Sequence, residues 1–523
     1  MDEPTRSATA AELVATYLDR LRAPVSGGGA QPVRRRSGWW WRGLLAALLA
    51  GAGIGLSAYL LLACPKAPAA VRLAPAALMP EPALIEPGPD GQKVAGVLQF
   101  RGNPARNWTG QGPLPHAPRL LWRYPDRPMC ARSRVGRQQH TWCGTGWTGQ
   151  PVIWRRPDGV VEVIVGAYDR RVHFVDADSG RRTRPSFVTG DIIKGSVSLD
   201  PDGDPLLYFG SRDDKLRVVA LDRPRPTELW ALDASFVPGI WNDDWDSNPT
   251  LRDGVLYVGG ENGYFFAVGL NRDYDPAGRV TVDPEMLLAY RGWKPGLLQR
   301  VGDRNASIEN SVSLYGDRAY FANSAGRVVG LDISRVEQGR APVVFDYWVG
   351  DDIDASIVID YDGMLYVAAE LERFLPRADE VGQLLKLDPY RDGDPLIWSL
   401  HVPPSFADYR GGIWATPALG DGVLYVATHP GHLLAVDAET GRVSFTDDLG
   451  PHAWSSPVIS GDQLLVATCR GELRAYSLLD PWHPELEWSR RIPSGACIES
   501  TPAVWDGRIV VGARDGYIYA YGD

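Results

Sequence analysis

Residues 414–442, WATPALGDGVLYVATHPGHLLAVDAETGR, contain one complete structural unit. A small polar and Pro start leads into a short apolar run, Asp421-Gly422 marks a tight turn, and an alternating β-branched run follows. A second turn then precedes a strand that ends near Asp437. Asp-Gly between apolar runs signals a hairpin, because the favoured two-residue turn needs positive φ at both central positions. The unit returns as WSSPVISGDQLLVATCRGELRAYS from Trp454, ESTPAVWDGRIVVGARDGYIYAYGD from Glu499 and DSNPTLRDGVLYVGGENGYFFAVG from Asp246.

Aligned on their starts, the copies place Thr148, Lys194, Asp246, Glu309, Asp354, Trp414, Trp454 and Glu499 at one repeat position, 40 to 63 residues apart. Eight positions at that spacing predict an all-β fold, an eight-bladed β-propeller of four-stranded blades with loop insertions. The outer strand is marked by an aromatic at Trp230, Trp398 and Trp488, but only 24 residues follow Glu499. Residues 119–124, with Leu120-Leu121-Trp122-Arg123-Tyr124, have the missing pattern and are expected to complete the last blade and close the ring.

Composition agrees with many short strands and tight turns: the 523 residues include 57 Gly, 42 Pro and 19 Trp. The first 42 residues carry a net charge of +3 and the remainder −13. A large acidic domain lacks the basic field that phosphate backbones need, so nucleic acid is not an expected partner.

Residues 43–63, GLLAALLAGAGIGLSAYLLLA, are uncharged and long enough to span a bilayer core of about 30 Å as a single transmembrane helix. Arg34, Arg35, Arg36 and Arg42 precede this run, and only Lys66 follows closely. The expected topology is therefore single-pass in the inner membrane, with a cytoplasmic N-terminus and a periplasmic or otherwise extracytoplasmic propeller. Residues 1–42 form the cytoplasmic segment, with a short amphipathic helix over 7–22, and residues 64–96 a Pro/Ala-rich spacer. Leu61-Leu62-Ala63-Cys64 resembles a bacterial lipobox, but the cytoplasmic lead is longer than a removable signal normally has. An uncleaved anchor is favoured over a lipoprotein modified at Cys64.

Three motifs point to a family: Gln99-Phe100-Arg101-Gly102-Asn103-Pro104-Ala105-Arg106, Asp421-Gly422-Val423-Leu424-Tyr425-Val426-Ala427 and Ala435-Val436-Asp437-Ala438-Glu439-Thr440-Gly441. With these, residues 97–523 resemble the pyrroloquinoline-quinone-like propeller repeats. That family includes quinoprotein dehydrogenases, extracytoplasmic sensor domains and the scaffold lipoprotein of the outer-membrane β-barrel assembly machinery, so the resemblance implies the fold without deciding function. A quinoprotein of this family is expected to carry pyrroloquinoline quinone, Ca²⁺, an adjacent-cysteine disulfide and an Asp base. No adjacent cysteines occur here.

Cys130 and Cys143 lie close together before blade 1, and Cys469 and Cys497 lie in adjacent late blades, so two disulfides are expected in an exported domain. Free buried thiols are the alternative. The aligned first position should face the central channel at one mouth, with acids at Asp246, Glu309, Asp354 and Glu499. Carboxylates are hard ligands, so Asp246, Glu309, Asn310 and Asp354 are the candidate Ca²⁺ ligands, with Asn248 as a further oxygen donor. Trp414, Trp454 and Lys194 are the candidate cofactor-binding residues, and Asp354 the base if the chain is a quinoprotein. The plainer reading is that these side chains solvate the mouth. His429 and His432 are read as a solvent-facing pair. Residues 369–382 and 239–245 are insertions that could carry binding. The favoured expectation is a non-enzymatic scaffold that binds another envelope protein; the alternative is a quinoprotein dehydrogenase or ligand sensor.

Overall fold

Asp253-Gly254, Asp421-Gly422 and Asp506-Gly507 each have positive φ at both residues, the geometry that joins an innermost strand to its neighbour as a tight hairpin. The computed structural model describes residues 92–523 except 136–137, 148 and 406–409. Among them, eight antiparallel sheets of four strands follow one another in sequence. Blade 1 also carries the short strand Gly96–Val97 on the inner side of Val152–Arg155. The predicted segments 1–42 and 43–63, most of the spacer 64–96, Cys64 and Thr148 lie outside the described residues. No helix among the described residues is long and apolar enough to cross a membrane.

The last blade is built as its pattern predicts. Ala503–Trp505, Arg508–Gly512 and Ile518–Gly522 are its inner three strands, and Arg119–Tyr124 pairs antiparallel with the third, in the register Arg123 to Tyr519. A strand from the start of the domain thus completes the blade at its end and covers the edge that would otherwise remain open.

The outer-strand tryptophans link one blade to the next. Trp122 donates its indole N–H to the Ala177 carbonyl of blade 1 at 2.8 Å, and Trp398 of blade 5 donates to Ala438 of blade 6 at 3.1 Å. Each indole lies over a glycine three residues further on, Gly180 or Gly441, where a Cβ would come within 2.7 Å of the ring. Both glycines also have positive φ, so the Asp-Ala-x-Ser/Thr-Gly exit of the repeat suits both the turn and the docking of the tryptophan.

The segment 99–106 plugs the channel. The Arg101 guanidinium, fully buried, donates to the Pro417 and Pro457 carbonyls of blades 6 and 7. Arg106, equally buried, reaches Val312 O at 2.7 Å and Thr250 Oγ1, in blades 4 and 3. Burial pushes both guanidiniums down to about 9. Their acceptors lie three or four residues along the innermost strands from the aligned first position, so the plug seals the channel beneath the mouth.

Candidate functional site

In each blade the second strand runs antiparallel to the innermost one, so the end of the second strand returns to the mouth where the innermost strand begins. A second ring of side chains therefore joins the first: Tyr168, Arg212, Glu261, Ser324, Glu370, His429, Cys469 and Arg514 occupy one position in the eight repeats. The two rings mesh into three sectors.

In the first sector, Lys194 is ion-paired with Asp246, and its Nζ lies 3.8 Å from Glu261 and 4.0 Å from Glu309. Carboxylate oxygens of these three acids all lie within 4.8 Å of one another. Burial opposes the ammonium charge, but the three acids outweigh it and hold Lys194 well above its ordinary value. Burial likewise pushes Glu261 and Glu309 upward, with Asp246 adding to the shift. Asp244 pairs with Arg212 alongside, and burial raises it to about 7.

The second sector is more acidic than its cations can balance. Asp352 contacts Arg373 at 3.3 Å, but burial still pushes it up to about 8, and Arg373 is shared with Asp303 and Asp351. Asp354 and Glu370 face each other; burial and neighbouring acids raise both well above the carboxylate range. Asp352 Oδ1, Asp354 Oδ1 and Glu370 Oε1 are buried oxygens without a hydrogen-bond partner.

The third sector is aromatic. Trp414 and Trp454 stack with centroids 4.8 Å apart and planes 12° apart. His429 lies 4.8 Å from Trp414 and accepts the Trp454 indole N–H at 2.8 Å on Nδ1, which fixes its other nitrogen as the protonated one in the neutral ring. His429 is buried and only His432 is exposed, because the first lies in the channel ring and the second begins the outward-running third strand. The solvent-facing pair expected from the sequence is thus corrected.

Both expected disulfides are present. Cys130–Cys143 closes the hairpin of Cys130–Val135 and Gln138–Cys143, while Cys469–Cys497 ties blade 7 to blade 8 next to Glu499, itself 3.6 Å from Arg514.

Lys194, Asp246 and Glu309 are thus brought together, and Asp354 is placed in the neighbouring sector. Asn310 and Asn248 are not offered to the mouth. Asn310 donates to the Ala322 and Ile353 carbonyls and accepts from the Ala322 N–H, while Asn248 donates to Ser196 and Ser198 and accepts from the Phe100 N–H. As metal ligands both are corrected: each is buried and its amide binds backbone across blades. Sequence reading missed Glu261, Asp352 and Glu370. The repeated position after the second strand would have revealed the first and last. Glu370 is also the second residue of the 369–382 insertion, where Glu370–Leu371 pairs with Gly411–Gly412.

A planar quinone needs an open aromatic face, and calcium needs carboxylates free of another cation. Here Trp414 and Trp454 stack on each other, and the Lys194 ammonium sits among the three best-grouped acids. Trp414, Trp454, Lys194, Asp246 and Glu309 therefore do not fit the quinone-and-calcium pair, whereas Asp354 keeps a carboxylate oxygen that no cation meets among the described residues.

Residues 382–521 match the family model described as outer membrane protein assembly factor BamB. No curated protein matches the chain. Quinohemoprotein alcohol dehydrogenase from Comamonas testosteroni is 12% identical with a TM-score of 0.55, over 83% of this chain and 81% of that one. The quinohemoprotein alcohol dehydrogenase ADHIIG from Pseudomonas putida HK5 is 11% identical with a TM-score of 0.56, over 82% and 80%. Sqt1 of Saccharomyces cerevisiae is 10% identical with a TM-score of 0.53, over 72% and 96%. At such identities the likeness is one of fold. The chain resembles the pyrroloquinoline-quinone-like propeller repeats, with the sequence signature carried by residues 382–521 and the propeller fold shared across the ring.

Proposed function

We propose that this chain is a membrane-anchored binding propeller of the cell envelope, a scaffold that holds another envelope protein at the acidic mouth. The carrying observation is that the mouth's best cation site and its aromatic pair are already engaged by the protein's own side chains. Apolar surface on the same rim supports a protein partner. Phe236, Trp241 and Phe374 are 61%, 54% and 44% exposed. The Trp241 loop is tied to the mouth by the Ile240 N–H on Asn262 O, and Phe374 by its N–H on Asp351. Exposed aromatics beside a charged rim are the usual anchors of a docking surface. The sequence run 43–63 supplies the anchor, with the propeller outside the cytoplasm.

A second reading, a quinone- and calcium-dependent dehydrogenase or ligand sensor, is favoured by the unpartnered carboxylate oxygens; Asp354 would then be the base. Calorimetric titration of the full chain with pyrroloquinoline quinone, with and without CaCl₂, separates the two. No saturable heat is expected. Calcium-dependent 1:1 binding, followed by alcohol-dependent dye reduction, would overturn the scaffold reading.

A further inference from the structure

The acidic domain carries a basic projection. From Arg127 to Pro157 the sequence has no Asp or Glu, and Arg127, Arg132 and Arg134 have no ion pair among the described residues. Arg132 and Arg134 stand on Cys130–Val135, which pairs with Gln138–Cys143 alone in a two-stranded sheet. The register sets Cys130, Arg132 and Arg134 opposite Cys143, Thr141 and Gln139 on one face of this hairpin. Ala131 and Ser133 lie opposite Trp142 and His140 on the other.

The two faces have different surroundings. Trp142 lies edge-on to Tyr168 of the mouth's second ring, with centroids 5.5 Å apart, and the Arg514 guanidinium lies 5.3 Å from the Trp142 centroid. Ser133, on the same side, is 2% exposed. This face therefore rests on blades 1 and 8 at the mouth; the Cys130–Cys143 disulfide closes the base, and Arg170 donates to the Arg132 carbonyl. On the open face Arg132, Arg134, Gln139 and Thr141 are all exposed. Two positions apart on one strand, the arginines start from Cα atoms about 6.6 Å apart, the same repeat as alternate residues of any extended segment. Guanidinium forks match carboxylates, so the complement of this face is an extended chain with acids at alternate positions. A bilayer suits it less well, because the open face offers no apolar side chain to enter the membrane. A protein seated on the mouth reaches it directly, since Trp142 borders the mouth ring.

We propose that the open face of the 130–143 hairpin, through Arg132 and Arg134, docks an extended acidic segment of the protein held at the mouth. This inference rests on the scaffold reading. The acidic remainder of the propeller repels such a segment, so the hairpin fixes where on the ring it can lie.

Fluorescence anisotropy on the full chain in neutral-lipid nanodiscs tests it with labelled acetyl-Glu-Thr-Glu-Thr-Glu-amide and the same peptide with Gln for Glu. The acidic peptide is expected to bind, more weakly as NaCl is added, and the Gln peptide at least about tenfold more weakly. Arg132→Gln with Arg134→Gln should lose at least about tenfold while keeping the thermal midpoint, because both side chains are exposed. No binding of the acidic peptide, equal binding of the Gln peptide, or unchanged binding by the double variant overturns the proposal. Flotation with phosphatidylglycerol vesicles supplies the competing outcome: capture that the double variant loses, without peptide binding, assigns the hairpin to a lipid surface and overturns it. A benzophenone amino acid at Thr141 or at Trp241 in living cells keeps the two failures apart. The same adduct from both positions is expected, and the double variant should weaken it at 141. An adduct from 241 alone defeats only the hairpin proposal, whereas none from either position defeats the scaffold reading as well.

Discussion

Replacing Trp122 by alanine should loosen the ring at its closure. The indole is 9% exposed, packs over Gly180 and donates to the Ala177 carbonyl at 2.8 Å. Loss of a buried tryptophan costs about 3–5 kcal/mol through lost transfer energy and the cavity left behind. Trp122→Phe keeps most of the packing and loses the N–H, so it should cost only about 1–2 kcal/mol. Urea unfolding of the full chain, followed by circular dichroism, reads both. Trp398→Ala, at the equivalent joint between blades 5 and 6, gives the internal comparison. If Trp122→Ala changes stability by less than about 1 kcal/mol, the strand 119–124 does not close the ring as described here.

Lys194→Met should destabilise the fold by about 3–5 kcal/mol, because three buried acids lose their shared cation. In Lys194→Ala the space is also vacated, so CaCl₂ should raise the thermal midpoint of that variant and leave the wild type unchanged; an equal rise in both would show that the ammonium does not block the metal. The acids also set a pH dependence. Asp354 and Glu370 are raised above their unfolded values, so the folded state holds protons that the unfolded chain releases above about pH 4–5. Stability should therefore fall as pH rises from 5 towards 8, by about 1.4 kcal/mol per pH unit for each proton held. Asp354→Asn with Glu370→Gln should flatten this slope between pH 5 and 7 in urea titrations, and an unchanged slope would contradict the assigned ionisation.

The fold was legible because its signals are local and repeated. Asp-Gly turns, alternating strands and the outer-strand aromatic recur often enough to count blades and to assign Arg119–Tyr124 to the last of them. The signature 99–106 was visible as a motif but not as a plug, because Arg101 and Arg106 bind carbonyls more than 200 residues away. The site was half legible for a similar reason. One repeat position identified Lys194, Asp246, Glu309 and Asp354, but the antiparallel return of each second strand adds Glu261 and Glu370 from a position that looks like an ordinary turn. Asn310 misled because a polar residue next to the mouth position points into the joint between blades. Nor does sequence reveal that Trp414 and Trp454 stack on each other, since that depends on the angle between adjacent blades.

The scaffold account is tested most directly by site-specific photocrosslinking in living cells, with a benzophenone amino acid placed at Trp241 on the acidic rim or at Tyr361. Tyr361 is 81% exposed, in the turn at the far end of blade 5's innermost strand. The account predicts one discrete adduct with an envelope protein from position 241, weakened by Asp354→Asn with Glu370→Gln, and none from position 361. Equal adducts from both positions, or none from the rim, would contradict it.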